Sequence, residues 1–198
     1  MREALLLAAG NSQRFAGIKQ LAMWQGQSLI NHSVSQFYED GVILQGLNGL
    51  RVALGANAQQ IKAQLASAVE TIDMQNWSQG IGATIAEAVS RMPTTTKHLL
   101  IALADQIAIK HTDFLHLIAL SEQYPNHIIA ARYADVVGVP AIFPQRFFSH
   151  LQQLSGDKGA RSLFALWQDA VISVDMPHAS LDVDTQQDLV NALHNQQT

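Results

Sequence analysis

An α/β fold, with a mainly parallel central sheet and helices on both faces, is predicted from three observations on this 198-residue chain. Short, nearly continuous apolar runs such as Leu99-Leu100-Ile101-Ala102-Leu103 recur along it, as in strands buried on both sides. Stripes of apolar residues at helical spacing stand between these runs. Glycine, proline and small polar residues punctuate the joins. Strands are expected at residues 4–8, 50–54, 70–74, 98–103, 128–131, 140–143 and 171–174. Ile61, Leu65 and Ala68 form a helical stripe after Asn57, the expected N-cap. Phe114, Leu117 and Ile118 do the same after Thr112. Phe147, Leu151 and Leu154 follow Pro144, which suits a helix start, and Gly156 can end that helix. Ala160, Leu163, Phe164 and Trp167 form a further stripe after Asp157. Thr185 with Asp188 matches a capping box that opens a last helix through Leu189 and Leu193. The Gln/Asn-rich tail beyond is expected to fray. No repeat or low-complexity linker divides the chain, so one domain over 1–198 is expected.

Composition excludes several functions. Apolar residues make up 48% of the chain and charged ones 14%, which is globular rather than disordered. A net charge of −4 argues against general nucleic-acid binding, so any phosphate recognition is local. Cysteine is absent, which removes disulfides, thiolate metal sites and thiol catalysis. Gly10, Asn11, Ser12 and Gln13 interrupt the first apolar run before it resembles a signal peptide. No run approaches membrane-spanning length. A soluble cytoplasmic protein, with neither nucleic-acid nor membrane partners, is the expectation. The eight histidines show neither zinc spacing nor a His-Glu-x-x-His motif, and are expected at the surface or as caps. No Gly-x-Ser-x-Gly elbow supports a serine hydrolase.

In sheets of this kind ligands sit beyond the carboxyl ends of the strands. The first such place is Leu7-Ala8-Ala9-Gly10-Asn11-Ser12-Gln13-Arg14, followed by Lys19. Small residues at the strand end leave backbone bare for a flat or charged ligand, and Arg14 and Lys19 can neutralise phosphate oxygens. Neither the Walker pattern nor the dinucleotide fingerprint fits, and an ordinary strand-to-helix turn with surface charges explains the same residues. The second is Asp105, a carboxylate closing the run 99–104, placed either to hold Mg²⁺ or to cap a turn. Third, Asp182 and Asp184 share one side of an extended segment. One of them could complete a metal site with Asp105; Asp184 beside Thr185 could equally fill a turn. Fourth, Gly80 and Gly82 allow close backbone approach, and Thr84 is expected to begin a helix whose amides favour an anion. A simple strand-to-helix loop with Trp77 packed underneath explains the same residues. Fifth, Gly138 and Pro140 precede a loop that offers Lys158 and Arg161 to phosphate, or merely a solvated helix start.

Read together and in order, these segments resemble the molybdenum cofactor cytidylyltransferases of the NTP-transferase-like family. The matching motifs are Leu-Ala-Ala-Gly-x-Ser-x-Arg-Phe…Lys-Gln-Leu (7–21), Asn-Trp-x-x-Gly-Ile-Gly (76–82), Ala-Asp-Gln (104–106), Gly-Val-Pro-Ala-Ile-Phe (138–143), Ser-Gly-Asp-Lys-Gly-Ala-Arg (155–161) and Asp-Val-Asp-Thr (182–185). The resemblance implies a Rossmann-like three-layer α/β/α sandwich of the nucleotide-diphospho-sugar transferase type. It implies that Ala8, Ala9 and Gly10 lie along the base and sugar of CTP, with Ser12 in the same loop. Arg14 and Lys19 would hold the triphosphate and Asp105 the metal, Mg²⁺, whose shell Asp184 completes, with or without Asp182. Gly80, Gly82 and Thr84, then Gly138 and Pro140, would line the nucleotide and pterin sides, with Lys158 and Arg161 beside them.

The implied reaction transfers CMP from CTP to the phosphate of molybdopterin and releases pyrophosphate. The implied partners are those two substrates and a molybdoenzyme or its chaperone. Ala9, where guanylyl-transferring relatives commonly carry glycine, points to cytosine. Two positions depart from the family pattern. Ile107 stands where proline usually follows Asp-Gln, which predicts a less rigid loop. Ala16 stands where glycine is usual, and a methyl there crowds the phosphates if the position needs positive φ. Another NTP or another phosphate acceptor, such as a sugar or polyol phosphate, is the alternative reaction. A non-catalytic cofactor-binding accessory protein is the alternative from another class.

Overall fold

The computed structural model describes residues 1–65 and 69–195; Ala68 of the stripe after Asn57 and the end of the tail lie outside the described residues. Seven strands form one sheet: β1 (Arg2–Ala8), β2 (Gly49–Leu54), β3 (Glu70–Asp73), β4 (His98–Leu103), β5 (Ile128–Tyr133), β6 (Val136–Pro144) and β7 (Val171–Asp175). Their spatial order is β7-β5-β6-β4-β1-β2-β3. Every pairing is parallel except those of β6, which runs antiparallel to both β4 and β5. All seven predicted runs are strands, but the antiparallel pairing was not foreseen. β5 returns into β6 through Ala134 and Asp135, both with positive φ (47° and 61°), the two-residue turn whose twist suits a hairpin. Ala-Asp is not the Asn-Gly pair that would signal such a turn, so the sequence concealed it.

Alternation divides each central strand between two cores. Ala4, Leu6 and Ala8 of β1 join Leu100, Ala102 and Ala104 on one face. Leu5, Leu7 and Ala9 join Leu99, Ile101 and Leu103 on the other. Burial on both faces is why these strands read as unbroken apolar runs. The first face is covered by α1 (Leu29–Ser35), α2 (Ala58–Lys62) and α4 (His111–Gln123), where Phe37 stacks on Phe114 with ring centroids 4.3 Å apart. The second carries α3 (Ile81–Ser90), α5 (Phe148–Leu151) and α6 (Arg161–Leu166). A third cluster of Phe15, Trp24, Leu29, Ile107, Val183 and Ala192 ties the opening loop to α7 (Gln186–Asn195).

Several local expectations are corrected. Asn57 sits at the start of α2 but is left-handed (φ 59°) and its side chain caps nothing. α4 begins at His111 with Lys110 as its cap residue, ahead of Thr112. After Pro144 the chain makes a 3-10 turn at Gln145–Phe147 and a single α-turn, not a helix reaching Leu154. α3 begins at Ile81 rather than Thr84, since Gly80 already occupies the cap. His32 is buried, not a surface residue. The capping box forms as read: the Asp188 carboxylate accepts from Thr185 N at 2.7 Å, and Thr185 Oγ1 accepts from Asp188 N at 3.2 Å.

Candidate functional site

A cavity of about 520 Å³ opens at the carboxyl end of β1 and is bordered by Ala8, Ala9, Gly10, Lys19, Gly80, Thr84 and Asp105 of the expected residues. The loop after β1 shapes it. Gln20, part of the first motif but with no role expected of it, is buried and donates through Nε2 to the carbonyls of Ala8 and Gly10, each at 3.1 Å. Ser12, left-handed at φ 55°, donates to Gln20 Oε1 at 3.2 Å and accepts from Lys19 N at 3.3 Å. Ser12 therefore braces the loop and does not border the cavity. Its only sequence signal was its place between Gly10 and Lys19. Gly10 has open space where a Cβ would stand, so bare backbone faces the cavity there.

The concern over Ala16 does not materialise: the positive φ in this stretch falls on Gly17, at 127°. The concern over Ile107 is likewise met by packing. Ile107 is buried in the third cluster, and its carbonyl accepts a 2.9 Å hydrogen bond from His32 Nε2. Because a carbonyl only accepts, this bond makes Nε2 the protonated nitrogen of His32. Gln106 clamps the same turn, donating to Val139 O at 3.0 Å and Ala179 O at 2.8 Å. These ties hold the turn from both sides in place of a proline.

A chain of charges crosses the mouth. Lys19 Nζ lies 2.8 Å from Asp105 Oδ2 and 3.4 Å from Asp184 Oδ1, and Arg14 Nη2 lies 2.9 Å from Asp184 Oδ2. Lys19 is well shielded, with 14% of its side chain exposed, whereas Arg14 is 73% exposed and lies outside the cavity wall. Val183 is fully buried, which turns its neighbours Asp182 and Asp184 the other way, as their spacing suggested. The backbone of this segment is held too, by Val183 N donating to Asp105 O at 3.1 Å. Partial burial pushes the Asp182 carboxyl up to about 7; the charges of Asp105 and Asp184 add to this and Lys19 opposes it.

Asp105 Oδ1 is buried with no hydrogen-bond partner. A bare carboxylate oxygen beside a second carboxylate is a donor set for a hard cation. Among the described residues no three His, Cys, Asp or Glu side chains gather closely enough to hold a metal unaided. The fit is to a cation that shares its shell with substrate oxygens, as Mg²⁺ commonly does.

Other expected residues lie elsewhere. Gly82 does not border the cavity: a Cβ there would stand 2.6 Å from Lys158 O and 2.8 Å from Ser155 O. Its glycine seats the 155–159 loop on α3. Thr84 borders the cavity, but its hydroxyl is spent on Gly80 O at 3.1 Å. Lys158 is exposed and borders neither this cavity nor the adjoining one; Asp157 takes its place in the wall. Pro140 is buried inside β6 and borders neither. Gly138 and Arg161 border a second cavity of about 240 Å³, with Tyr133 and Asp182.

A family model described as the MobA-like NTP transferase domain matches residues 4–171. The chain belongs to this family. The nucleotidyltransferase is similar to Rv0371c of Mycobacterium tuberculosis H37Rv, with 26% identity, a TM-score of 0.81 and coverage of 98% of this chain and 97% of that one. Rv0371c in complex with manganese aligns at 24% identity and TM-score 0.76, covering 98% of each chain. Molybdopterin-guanine dinucleotide biosynthesis protein A from Archaeoglobus fulgidus shares the fold, at 17% identity and TM-score 0.70, over 100% of this chain and 99% of that one. No curated protein matches the nucleotidyltransferase. Among its described residues no helix is long and apolar enough to cross a membrane.

Proposed function

We propose that this nucleotidyltransferase transfers CMP from CTP to the terminal phosphate of molybdopterin. The observation that carries the reading is the shielded Lys19–Asp105 pair at 2.8 Å, set beside an Asp105 oxygen without a partner and beneath a strand end of bare backbone. An oxygen of the acceptor phosphate attacks the α-phosphorus of CTP in line. The bond from that phosphorus to the bridging oxygen breaks, and pyrophosphate leaves with the electron pair. Such transfer asks the protein mainly for positioning and charge neutralisation. Lys19 stands at the depth of the site and meets the phosphate charge there; Arg14, at the rim, closes on the leaving pyrophosphate. Asp105 and Asp184 would hold Mg²⁺, with Asp182 adjacent, and the bound cation supplies charge neutralisation on phosphate oxygens. The manganese in Rv0371c supports divalent-cation use.

Cytosine is chosen on Ala9, and the acceptor on the six ordered motifs together with the Archaeoglobus neighbour. Gly138 and Arg161 border the second cavity, and it is there that we propose the acceptor binds. A cytoplasmic enzyme that passes its product to a molybdoenzyme or its chaperone is the setting we propose. The test is pyrophosphate release with CTP or GTP, each with and without molybdopterin and with a sugar or polyol phosphate in its place. Release that needs both CTP and molybdopterin is expected; equal release with GTP overturns the base choice, and release with a sugar or polyol phosphate instead overturns the acceptor.

A further inference from the structure

We infer that the nucleobase stacks on the indole of Trp77, an inference that rests on the reading above that a nucleoside triphosphate occupies the cavity at the end of β1. Sheet order divides that cavity into two ends. β1 lies between β4 and β2. On the β4 side, Ala104 N donates to Leu7 O at 3.0 Å, and the next residue, Asp105, holds Lys19 at 2.8 Å. On the β2 side, Ala56 N donates to Ala9 O at 3.2 Å, just beyond Gly55. Ordinary strand spacing sets these two flanks about 10 Å apart. A ligand with its charged end on the carboxylate–lysine pair, lying across Ala8–Gly10, therefore points its other end at the β2 flank.

Trp77 stands at that flank. A Cβ on Gly55 would lie 2.5 Å from Trp77 Cγ and 2.5 Å from Ala9 O, so the indole and the end of β1 close on the same point. Only glycine permits that approach. Among the described residues bordering the cavity Trp77 is the one aromatic, and it stays partly exposed. A large apolar ring left partly in water beside bare backbone is a surface on which a base gains contact at little ordering cost. Stacking is tolerant of base identity, so Trp77 supplies affinity and orientation rather than the choice of cytosine.

The experiment titrates the full-length protein, Trp77→Ala and Trp77→Phe with CTP, GTP and inorganic triphosphate in Mg²⁺, by calorimetry and tryptophan fluorescence. Wild-type emission is expected to fall with nucleotide and not with triphosphate. Trp77→Ala weakens nucleotide binding by about 5- to 100-fold while triphosphate binding stays level. Trp77→Phe keeps most of the affinity, because a ring remains, yet loses the emission change; this variant decides the matter if Trp77→Ala is poorly folded. Equal loss of nucleotide and triphosphate affinity in Trp77→Ala, or an emission change that survives in Trp77→Phe, overturns the inference and leaves the nucleotide site standing. A wild-type protein that binds no nucleoside triphosphate overturns both.

Discussion

Lys19 and Asp105 form the best-shielded charge pair at the site: removing Lys19 strips Asp105 of its cation, and removing Asp105 leaves Lys19 only the longer contact to Asp184 at 3.4 Å. Lys19→Ala and Asp105→Asn are each expected to lower pyrophosphate release by about 10²–10³, the usual cost of losing a preorganised charge-stabilising group. Retained rates in Asp105→Asn would remove the metal from the proposed mechanism. Asp182 carries a different prediction. Its folded value of about 7 lies above the ordinary 3.8. Well below pH 3.8 it is protonated in both folded and unfolded chains, and this contribution to stability is fully present. As pH rises to about 7 the unfolded chain releases the proton while the folded one must hold it or ionise among like charges, so the contribution is lost. Asp182 is exposed over much of its surface, and solvent screening reduces the effect. Between pH 5 and pH 8 the urea midpoint of wild type should therefore fall more than that of Asp182→Asn; parallel declines would show that Asp182 is not strained. The charged residues were legible in the sequence because their types announce their chemistry. Gln20 and His32 were not, because they act through buried bonds to the carbonyls of Ala8, Gly10 and Ile107, and no local pattern reports a partner many residues away.

At the level of elements, the glycines separate into two kinds that the sequence could not distinguish. Gly82 packs α3 against the 155–159 loop, where an added Cβ meets backbone carbonyls that cannot yield cheaply. Gly82→Ala should cost about 1–3 kcal/mol in chemical denaturation, and it should also raise the KM for CTP, since Asp157 of that loop borders the cavity. Gly10 has free space around it, so Gly10→Ala should leave stability within about 0.5 kcal/mol while weakening nucleotide binding. A stability loss at Gly10 matching that at Gly82 would contradict this division. The central strands were readable because burial on both faces produces unbroken apolar runs; the edge strands β3 and β7 are only partly buried. The reversal of β6 was hidden in Ala134-Asp135, and α1 in Leu29-Ile30-Asn31-His32-Ser33-Val34-Ser35, which lies outside every stripe read from the sequence. Its buried face includes His32 and Ser33, polar residues whose hydrogen bonds to Ile107, Leu29 and Ala104 are tertiary facts as much as local ones.

Across the whole molecule, the cavity is framed by segments far apart in sequence: the ends of β1 and β4, the start of α3, and the loop at Asp157. The segment before α7 adds Asp184 at its rim, bonded to Lys19 and Arg14. The two cations proposed for phosphate, Lys19 and Arg14, are thus held by the two carboxylates proposed for metal, Asp105 and Asp184. A triphosphate arriving alone must compete with Asp105 and Asp184 for Lys19 and Arg14. Metal arriving with it gives those carboxylates a substitute partner, so the two ligands should favour each other's binding. Occupancy of a site built from so many segments stabilises the folded chain as a unit. At 100 times Kd the linkage amounts to about 2.7 kcal/mol, and for a protein of this size that is a rise in Tm of roughly 5–11 °C. CTP with Mg²⁺ is therefore expected to raise Tm by more than the separate shifts of CTP in chelator and Mg²⁺ alone added together. In Asp184→Asn, which frees Arg14 and loosens Lys19, CTP in chelator should shift Tm more than it does in wild type, and the excess due to Mg²⁺ should shrink. Additive shifts in the wild-type protein would mean that the charge chain at the mouth does not couple the two ligands.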